Sequence, residues 1–175
     1  MELNQRQKVS LGIKPLSVGP LNKENIIQFI IIQDTREQNP FTFKTIRPVP
    51  KTVTDTLKTG DYSIRGYQDL VTIERKSLAD AYGTFGKGRE RFERELERMA
   101  KMQFAAVLIE ADWNTILRRP PTRSRLKPKT IYRSVIAWEQ RYGVHFWACT
   151  NRAFAEKTTF VMLERFWRDK RDGKI

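Results

Sequence analysis

Hydrophobic and polar residues follow two different periods along the chain, and each period predicts a different kind of secondary structure. Near-continuous apolar runs are typical of strands buried on both faces, whereas strict alternation is typical of strands with one exposed face. A short polar turn at 65–69 separates two alternating stretches, which are therefore expected to form a hairpin. The predicted strands lie at 26–33, 52–57, 61–64, 70–76, 104–110 and 144–149.

Other parts of the chain repeat their apolar residues with the helical period of 3.6. The clearest case is 89–103, where Phe92, Leu96 and Met99 are spaced i, i+4, i+7 and predict a face packed against a core. Cations form a second stripe on this helix, which fits either a solvated face or a DNA contact. Further helices are predicted at 77–82, 112–117, 130–142 and 151–169. Strands that alternate with helices in this way predict an α/β fold.

Charge changes the picture, because 33 Lys and Arg residues stand against 20 Asp and Glu residues and give a formal net charge of +13. Such an excess favours a polyanionic partner, nucleic acid first and an anionic membrane surface second. No apolar run reaches the roughly 18 residues of a membrane span, and no early segment resembles a signal peptide. We therefore expect an intracellular, cytoplasmic protein that binds DNA and no membrane.

Polar residues dominate the beginning of the chain, where Gly12, Pro15, Gly19 and Pro20 interrupt every short apolar pattern. This composition predicts a flexible N-terminal arm at 1–25. The remaining residues, 26–175, are numerous enough to form one domain with its own core.

Cysteine and histidine are scarce, and this scarcity limits the chemistry. The chain has one cysteine, Cys149, and one histidine, His145, so an intramolecular disulfide and a Cys/His zinc site are both excluded. His145 lies within an alternating strand pattern, and we interpret it as structural. Any metal ion is therefore expected to be bound by carboxylates, which favours Mg²⁺ or Mn²⁺.

Two acids and a lysine are brought together by the predicted hairpin. Asp61 follows Gly60 directly, while Glu74 and Lys76 stand two residues apart on the second strand and so share one face. A Glu-x-Lys pair alone is typical of the solvated side of a sheet. With Asp61 folded back beside it, however, the group suits a hard divalent cation with a lysine next to it.

Several motifs in this order resemble the nuclease domain of the XPF family, a branch of the PD-(D/E)xK restriction-like nucleases. They are the segments Asp34–Glu37, Gly60–Tyr62 and Glu74–Asp80, followed by Gly88-Arg89 and the strand end at 108–110. The short stand-alone bacterial and phage members are the most similar. The resemblance implies a restriction-endonuclease-like fold, with a mixed central sheet flanked by helices, for a nuclease domain at 26–175.

The same resemblance implies a catalytic set and a metal set. Asp61, Glu74 and Lys76 are expected to be catalytic, with Asp61 and Glu74 holding Mg²⁺ or Mn²⁺ and Lys76 orienting water or stabilising the developing charge. Asp34 is expected to complete or neighbour the metal site, and Glu37 to support a second ion.

DNA contacts are expected from cations around this site. The resemblance assigns Arg89 a phosphate or active-site contact, whereas Arg36 and Arg75 either bind phosphate or pair with Asp80 and the other acids. We assign Asp80 a structural supporting role. The basic, acid-free loop at 118–129 is either a DNA-contacting loop or a solvated linker. Its proposed contacts are Arg123, Arg125 and Lys127.

The expected activity is metal-dependent hydrolysis of DNA phosphodiesters, with a family preference for flaps, forks and junctions of single- and double-stranded DNA. Such substrates suggest a role in DNA repair or recombination. Two alternatives stay open: a catalytically idle DNA-binding scaffold of the same fold, and a non-selective or sequence-specific restriction-type nuclease. A homodimer or a different protein partner is also expected.

Overall fold

Six strands and five helices make up the part of the chain that the computed structural model describes, residues 28–122 and 124–175. The predicted arm at 1–25 lies outside these residues. The strands are β1 (Ile30–Asp34), β2 (Lys51–Asp55), β3 (Tyr62–Ile64), β4 (Val71–Lys76), β5 (Phe104–Ile109) and β6 (His145–Ala148). The helices are α1 (Leu78–Phe85), α2 (Arg89–Met99), α3 (Trp113–Arg118), α4 (Pro128–Tyr142) and α5 (Arg152–Arg171).

The strands form one mixed sheet in the order β2-β1-β3-β4-β5-β6. The pairs β1–β2, β4–β5 and β5–β6 are parallel, while β3 runs antiparallel to both β1 and β4. It follows that β1, β4 and β5 all point the same way and end at the same edge of the sheet. The predicted α/β fold with a mixed central sheet flanked by helices is confirmed.

Apolar side chains pack on both faces of the sheet, as β5 illustrates. Its residues Ala105, Val107 and Ile109 belong to the core under α1, α2 and α4, whereas Ala106 and Leu108 belong to the core under α5. This arrangement explains why the β5 sequence is continuously apolar rather than alternating. None of the helices in the described residues is both long and apolar enough to span a bilayer.

The predicted hairpin forms between β3 and β4 and depends on a glycine. Gly60 has a φ of +75°, and a Cβ added there would lie 1.9 Å from the Oγ1 atom of Thr72. Glycine is therefore required for the close approach that lets the Asp61 amide donate to the Ile73 carbonyl at 2.9 Å. This contact fixes Asp61 beside β4.

One helix extends further than its sequence predicts. We expected the helix at 77–82 to stop before Gly83, but α1 continues through Gly83 to Phe85, and Gly86 is its C-cap. Burial of Ala81, Tyr82 and Phe85 explains the difference, since tertiary packing outweighs the low helix propensity of one glycine. The expected N-cap is present: the Ser77 hydroxyl accepts a hydrogen bond from the Asp80 amide at 3.1 Å.

Candidate active site

The strand ends of β4 and β5 border a cavity of about 960 Å³, together with the loop after β1, one side of α1 and the first turn of α2. Asp61, Glu74 and Lys76 all line this cavity, so the structure brings the predicted catalytic set together. The Arg75 amide donates to Oδ2 of Asp61 at 2.7 Å, which holds that carboxylate against β4.

A buried ion pair joins Lys76 and Glu74. The Lys76 Nζ atom lies 2.5 Å from Oε1 of Glu74, and both residues are less than one-tenth exposed. The ammonium group also lies over the Phe92 ring, 4.7 Å from its centroid. Since both residues point toward the α2 side of the sheet, the shared face expected from their spacing is present.

Burial makes the two carboxylates costly to ionise. It raises the pKa of Glu74 to about 8, although the charge of Lys76 opposes the shift, and the charge of Asp61 adds to it. Burial likewise raises the pKa of Asp61 to about 6, opposed by the Arg75 amide and supported by Glu37. Asp61 and Glu74 are therefore two desolvated acids with too little positive charge around them to keep both ionised. A bound cation would supply that charge.

The donor set fits a hard divalent cation of the magnesium type. Among the described residues, no three His, Cys, Asp or Glu side chains converge closely enough to hold a metal ion on their own. Mg²⁺ does not need such a cage, because it is usually held by one or two carboxylates and completes its shell with water and substrate phosphate. The pair Asp61 and Glu74 meets that requirement.

Asp34 does not line the cavity, and internal hydrogen bonds saturate its carboxylate. Its Oδ1 accepts from Nε of Arg36 at 2.7 Å, and its Oδ2 accepts from the Leu57 amide at 2.7 Å. These bonds outweigh the effect of burial and lower the pKa of Asp34. In this geometry Asp34 ties the loop after β1 to the chain near Leu57, rather than presenting oxygens to a metal ion. Arg36 lines the cavity and is mostly exposed, so one side of its guanidinium faces solvent.

Arg75 belongs to an internal ion-pair network. Its Nε lies 3.1 Å from Oε2 of Glu37, and its Nη1 lies 3.0 Å from Oε1 of Glu110. The three side chains are 8%, 7% and 10% exposed, in the order Arg75, Glu37, Glu110. Arg152 adds a second cation to Glu110 at 2.8 Å. Of the two roles considered for Arg75, the structure shows pairing with acids, and the partners are Glu37 and Glu110 rather than Asp80.

This network also occupies the carboxylate of Glu37. Besides Arg75, the Asn39 amide donates to its Oε1 at 2.7 Å. Glu37 lines the cavity, but its charge is already balanced by Arg75. Glu110 and Arg152 were not among the predicted site residues. The strand-end position of Glu110 was the available signal, whereas Arg152, 42 residues away, carried none.

Arg89, which was predicted to contact a phosphate or the active site, instead contacts residues of α2 and α4. Its guanidinium donates to the Ser134 hydroxyl at 2.7 Å, pairs with Glu93 at 3.2 Å and lies over the Trp138 ring at 4.6 Å. Arg89 therefore joins α2 to α4, while Arg91 lines the cavity. Helical geometry explains why Arg91 and not Arg89 faces the cavity, because residues two apart differ in direction by about 200° around a helix.

The remaining site residues fall into three places. Asp80 accepts from the Ser77 hydroxyl at 2.6 Å at the start of α1, a position consistent with the supporting role assigned to it. Arg125 and Lys127 are exposed in the loop before α4, and Arg123 lies outside the described residues.

The sequence analysis missed Glu95 on α2, whose charge raises the pKa of both Asp61 and Glu74. Its i, i+4 spacing from Arg91 was the only signal.

Comparisons with known proteins identify the family and the fold of the chain. The family model of the ERCC4 domain matches residues 33–162. Among solved structures, XPF from Aeropyrum pernix superposes with a TM-score of 0.63 at 17% identity, covering 83% of this chain and 68% of the other. XPF from Aeropyrum pernix in complex with DNA gives a TM-score of 0.60 at 19% identity, covering 83% and 66%.

The chain thus spans about two thirds of each of these two structures, and identities this low show the fold alone. No curated protein sequence matches the chain. The family model nevertheless covers most of the sequence, and its matched region contains every motif on which the resemblance was based. The chain therefore belongs to the ERCC4 domain family, and its resemblance to the XPF-family nuclease domain is confirmed.

Proposed function

We propose that this protein is a DNA endonuclease that hydrolyses phosphodiester bonds with a divalent metal ion, Mg²⁺ or Mn²⁺. The observation that carries the proposal is the group of Asp61, Glu74 and Lys76, which lines the cavity at the strand ends and contains the buried Glu74–Lys76 ion pair. Family membership and the net charge of +13 support it, because both favour a nucleic-acid substrate.

In this proposal Asp61 and Glu74 hold the metal ion. When bound, the ion would polarise the scissile phosphate and lower the pKa of a water molecule. Asp34 is left out of the metal set, since its oxygens already accept bonds from Arg36 and the Leu57 amide. Glu37 is assigned to orienting Arg75 rather than to a second ion.

Lys76 is assigned to the charge that develops on the phosphate. Burial lowers the pKa of its ammonium, but Glu74 outweighs this effect and the pKa is raised, so Lys76 is protonated at neutral pH. An ammonium has three N–H donors. It can therefore keep its bond to Glu74 and still donate to a phosphate oxygen of bound DNA.

Cations at the cavity wall are proposed to bind the phosphates that flank the cleaved bond. Arg36, Lys87 and Arg91 line the cavity, and all three are exposed. Arg91 takes the role that the sequence had suggested for Arg89. Arg125 and Lys127 extend the basic surface into the loop before α4, where we retain Arg123 as well.

Two alternatives make different experimental predictions. A catalytically idle scaffold would bind DNA without cutting it in Mg²⁺, but the retained Asp61, Glu74 and Lys76 favour an active enzyme. A restriction-type nuclease would cut one short duplex sequence. Several finer points stay predictions: the boundary between an arm at 1–25 and the nuclease domain at 26–175, a homodimer or other protein partner, a cytoplasmic location, and a role in repair or recombination.

Junction DNA should be cut faster than intact duplex. A flexible junction lets a phosphate reach the carboxylates without the cost of deforming a continuous helix. We expect cleavage near a flap or fork to be at least roughly tenfold faster than within linear duplex, the equivalent of about 1.4 kcal/mol of deformation avoided. A time course on matched, end-labelled substrates in Mg²⁺ measures this ratio.

The same time course has two outcomes that contradict the preference. Equal rates on flap, fork, single-stranded and duplex DNA would indicate a non-selective nuclease. Products from a single short sequence in every duplex would indicate a restriction-type enzyme.

Salt dependence should reveal whether the loop before α4 touches DNA. Each phosphate contact on duplex DNA contributes about 0.9 to the slope of log affinity against log salt. Replacing Arg123, Arg125 and Lys127 together by Ala should lower the slope by up to about 2.7 if all three bind phosphate. Binding isotherms at several salt concentrations give the slope.

A matched variant removes the same charge from another face. Arg168, Arg171 and Lys174 are exposed near the end of α5, on the opposite side of the sheet from α1 and α2. Their replacement by Ala should change the slope less. If both triple variants lower the slope equally, the loop is a solvated linker and the effect is general electrostatics.

A further inference from the structure

The segment between α3 and α4, together with parts of both helices, is the most basic stretch of the chain. Between Asp112 and Glu139 the sequence has seven cations and no acid. The cations are Arg118, Arg119, Arg123, Arg125, Lys127, Lys129 and Arg133. Such a surface selects a polyanion over an apolar or basic protein segment.

Two aromatic rings lie within this basic stretch. Trp113, at the start of α3, and Tyr132, on α4, pack edge-to-face with ring centroids 5.7 Å apart and an interplanar angle of 87°. Tyr132 is 47% exposed, and Ile136, one turn later, is 40% exposed. The buried face of α4 is formed by other residues, including Ile131, Val135 and Trp138. The ring of Tyr132 is therefore held in place by Trp113 while much of its surface faces solvent.

The aromatic pair is close to the cavity along the chain. Glu110 lines the cavity at the end of β5, and Trp113 follows three residues later, which is at most about 11 Å of backbone. Asp112 fixes the direction of α3 by accepting from the Thr115 amide at 2.7 Å. A DNA strand bound at the cavity would therefore have Trp113 within reach.

Aromatic rings among cations match the chemistry of an unpaired DNA strand. Bases stack on exposed aromatic side chains, and the phosphates of the same strand bind neighbouring Lys and Arg residues. A base inside a duplex is already stacked on both faces, so the ring of Tyr132 offers duplex DNA no equivalent contact.

We propose that Trp113 and Tyr132 form a stacking site for an unpaired nucleobase near the proposed active site, and that cations of the same basic stretch bind the phosphates of the same single strand. The inference rests on the proposed function only in taking DNA as the polymer. It names two residues through which the enzyme would select DNA that is single-stranded next to the cleaved bond.

The test measures binding in EDTA, so that cleavage plays no part. Tyr132→Ala should bind a labelled oligothymidylate roughly 5- to 140-fold more weakly than the wild type, the loss expected for one stacked base. Tyr132→Phe keeps the ring and should bind like the wild type. Affinity for duplex DNA should be unchanged in both variants, because neither alters a charge.

A matched control and a second ligand complete the design. Trp147 on β6 is a comparably exposed aromatic residue, 49% exposed, outside the basic stretch, and Trp147→Ala should keep wild-type affinity for the oligothymidylate. An abasic oligonucleotide keeps the phosphates but lacks bases. The wild type should bind it about as weakly as Tyr132→Ala binds oligothymidylate.

Two results would overturn the stacking site: equal affinity of the wild type for abasic and thymidine strands, or equal losses for single strand and duplex in Tyr132→Ala. These results are independent of catalysis. If the enzyme fails to cleave in Mg²⁺ but shows the single-strand selectivity, the proposed function fails and the stacking site stands.

Discussion

The Glu74→Gln variant should cleave DNA at least roughly 100-fold more slowly than the wild type in Mg²⁺. This loss exceeds the usual effect of removing a residue that only supports a metal ligand through a hydrogen bond. Glutamine has nearly the same size and can still accept a bond from Lys76, so the packing around β4 is kept. What it lacks is the negative charge that the proposed metal ion requires. Rates on a flap substrate, measured with the enzyme in excess, give the size of the loss.

Asp61→Asn and Lys76→Met should each cause a comparable loss, because the three residues act as one unit and their effects are not additive. Glu97→Gln is a matched control, since Glu97 is exposed on the same helix as Phe92 and outside the cavity. Cleavage by Glu74→Gln at close to the wild-type rate would remove Glu74 from the catalytic set.

Thermal unfolding separates lost chemistry from lost structure in these variants. Burial raises the pKa of Glu74 to about 8 from an ordinary value of 4.5. The folded state therefore binds more protons than the unfolded state between these values, and the metal-free protein loses stability as pH rises through that window. Glu74→Gln has no carboxylate to ionise, so its Tm should depend less on pH than that of the wild type across this window.

The Arg75→Met variant should be destabilised by about 3–5 kcal/mol, which corresponds to a fall in Tm of roughly 6–20 °C. Arg75 neutralises Glu37 and Glu110, and all three side chains are at most 10% exposed. Methionine preserves much of the volume but leaves two buried carboxylates without their shared cation, although Arg152 still contacts Glu110. Denaturant unfolding at neutral pH measures the change in the free energy of unfolding.

Arg168→Met provides the comparison for this large effect. Arg168 pairs with Glu164 on the exposed surface of α5, where such a pair contributes about 0–1 kcal/mol. Had Arg75 bound phosphate instead, Arg75→Met would weaken DNA binding and leave the Tm unchanged. That combination of results would contradict the internal role.

The sequence was sufficient to predict the strands and the acids that they carry. Period-2 alternation predicted the shared face of Glu74 and Lys76, and the turn residues predicted the hairpin that brings Asp61 to them. These features are encoded locally, since they depend on strand geometry and on the conformation that only Gly60 can adopt without a clash.

Contacts between distant parts of the chain could not be predicted in this way. The bond from the Leu57 amide to Asp34 and the pairing of Arg152 with Glu110 depend on how loops close in the folded protein. A motif also gives no side-chain direction. Arg91 lines the cavity and Arg89 does not, because of the rotation of α2 against α4. That rotation is set by packing around Trp138.

The central claim is that Asp61 and Glu74 together hold a divalent metal ion. Anomalous diffraction from crystals of the active protein soaked in Mn²⁺ tests it most directly. We expect an anomalous peak bonded to carboxylate oxygens of both Asp61 and Glu74, and we expect it to be absent from Glu74→Gln crystals soaked in the same way. A preparation that cleaves DNA in Mn²⁺ but shows its peak at other residues, or none at these two carboxylates, would contradict the account.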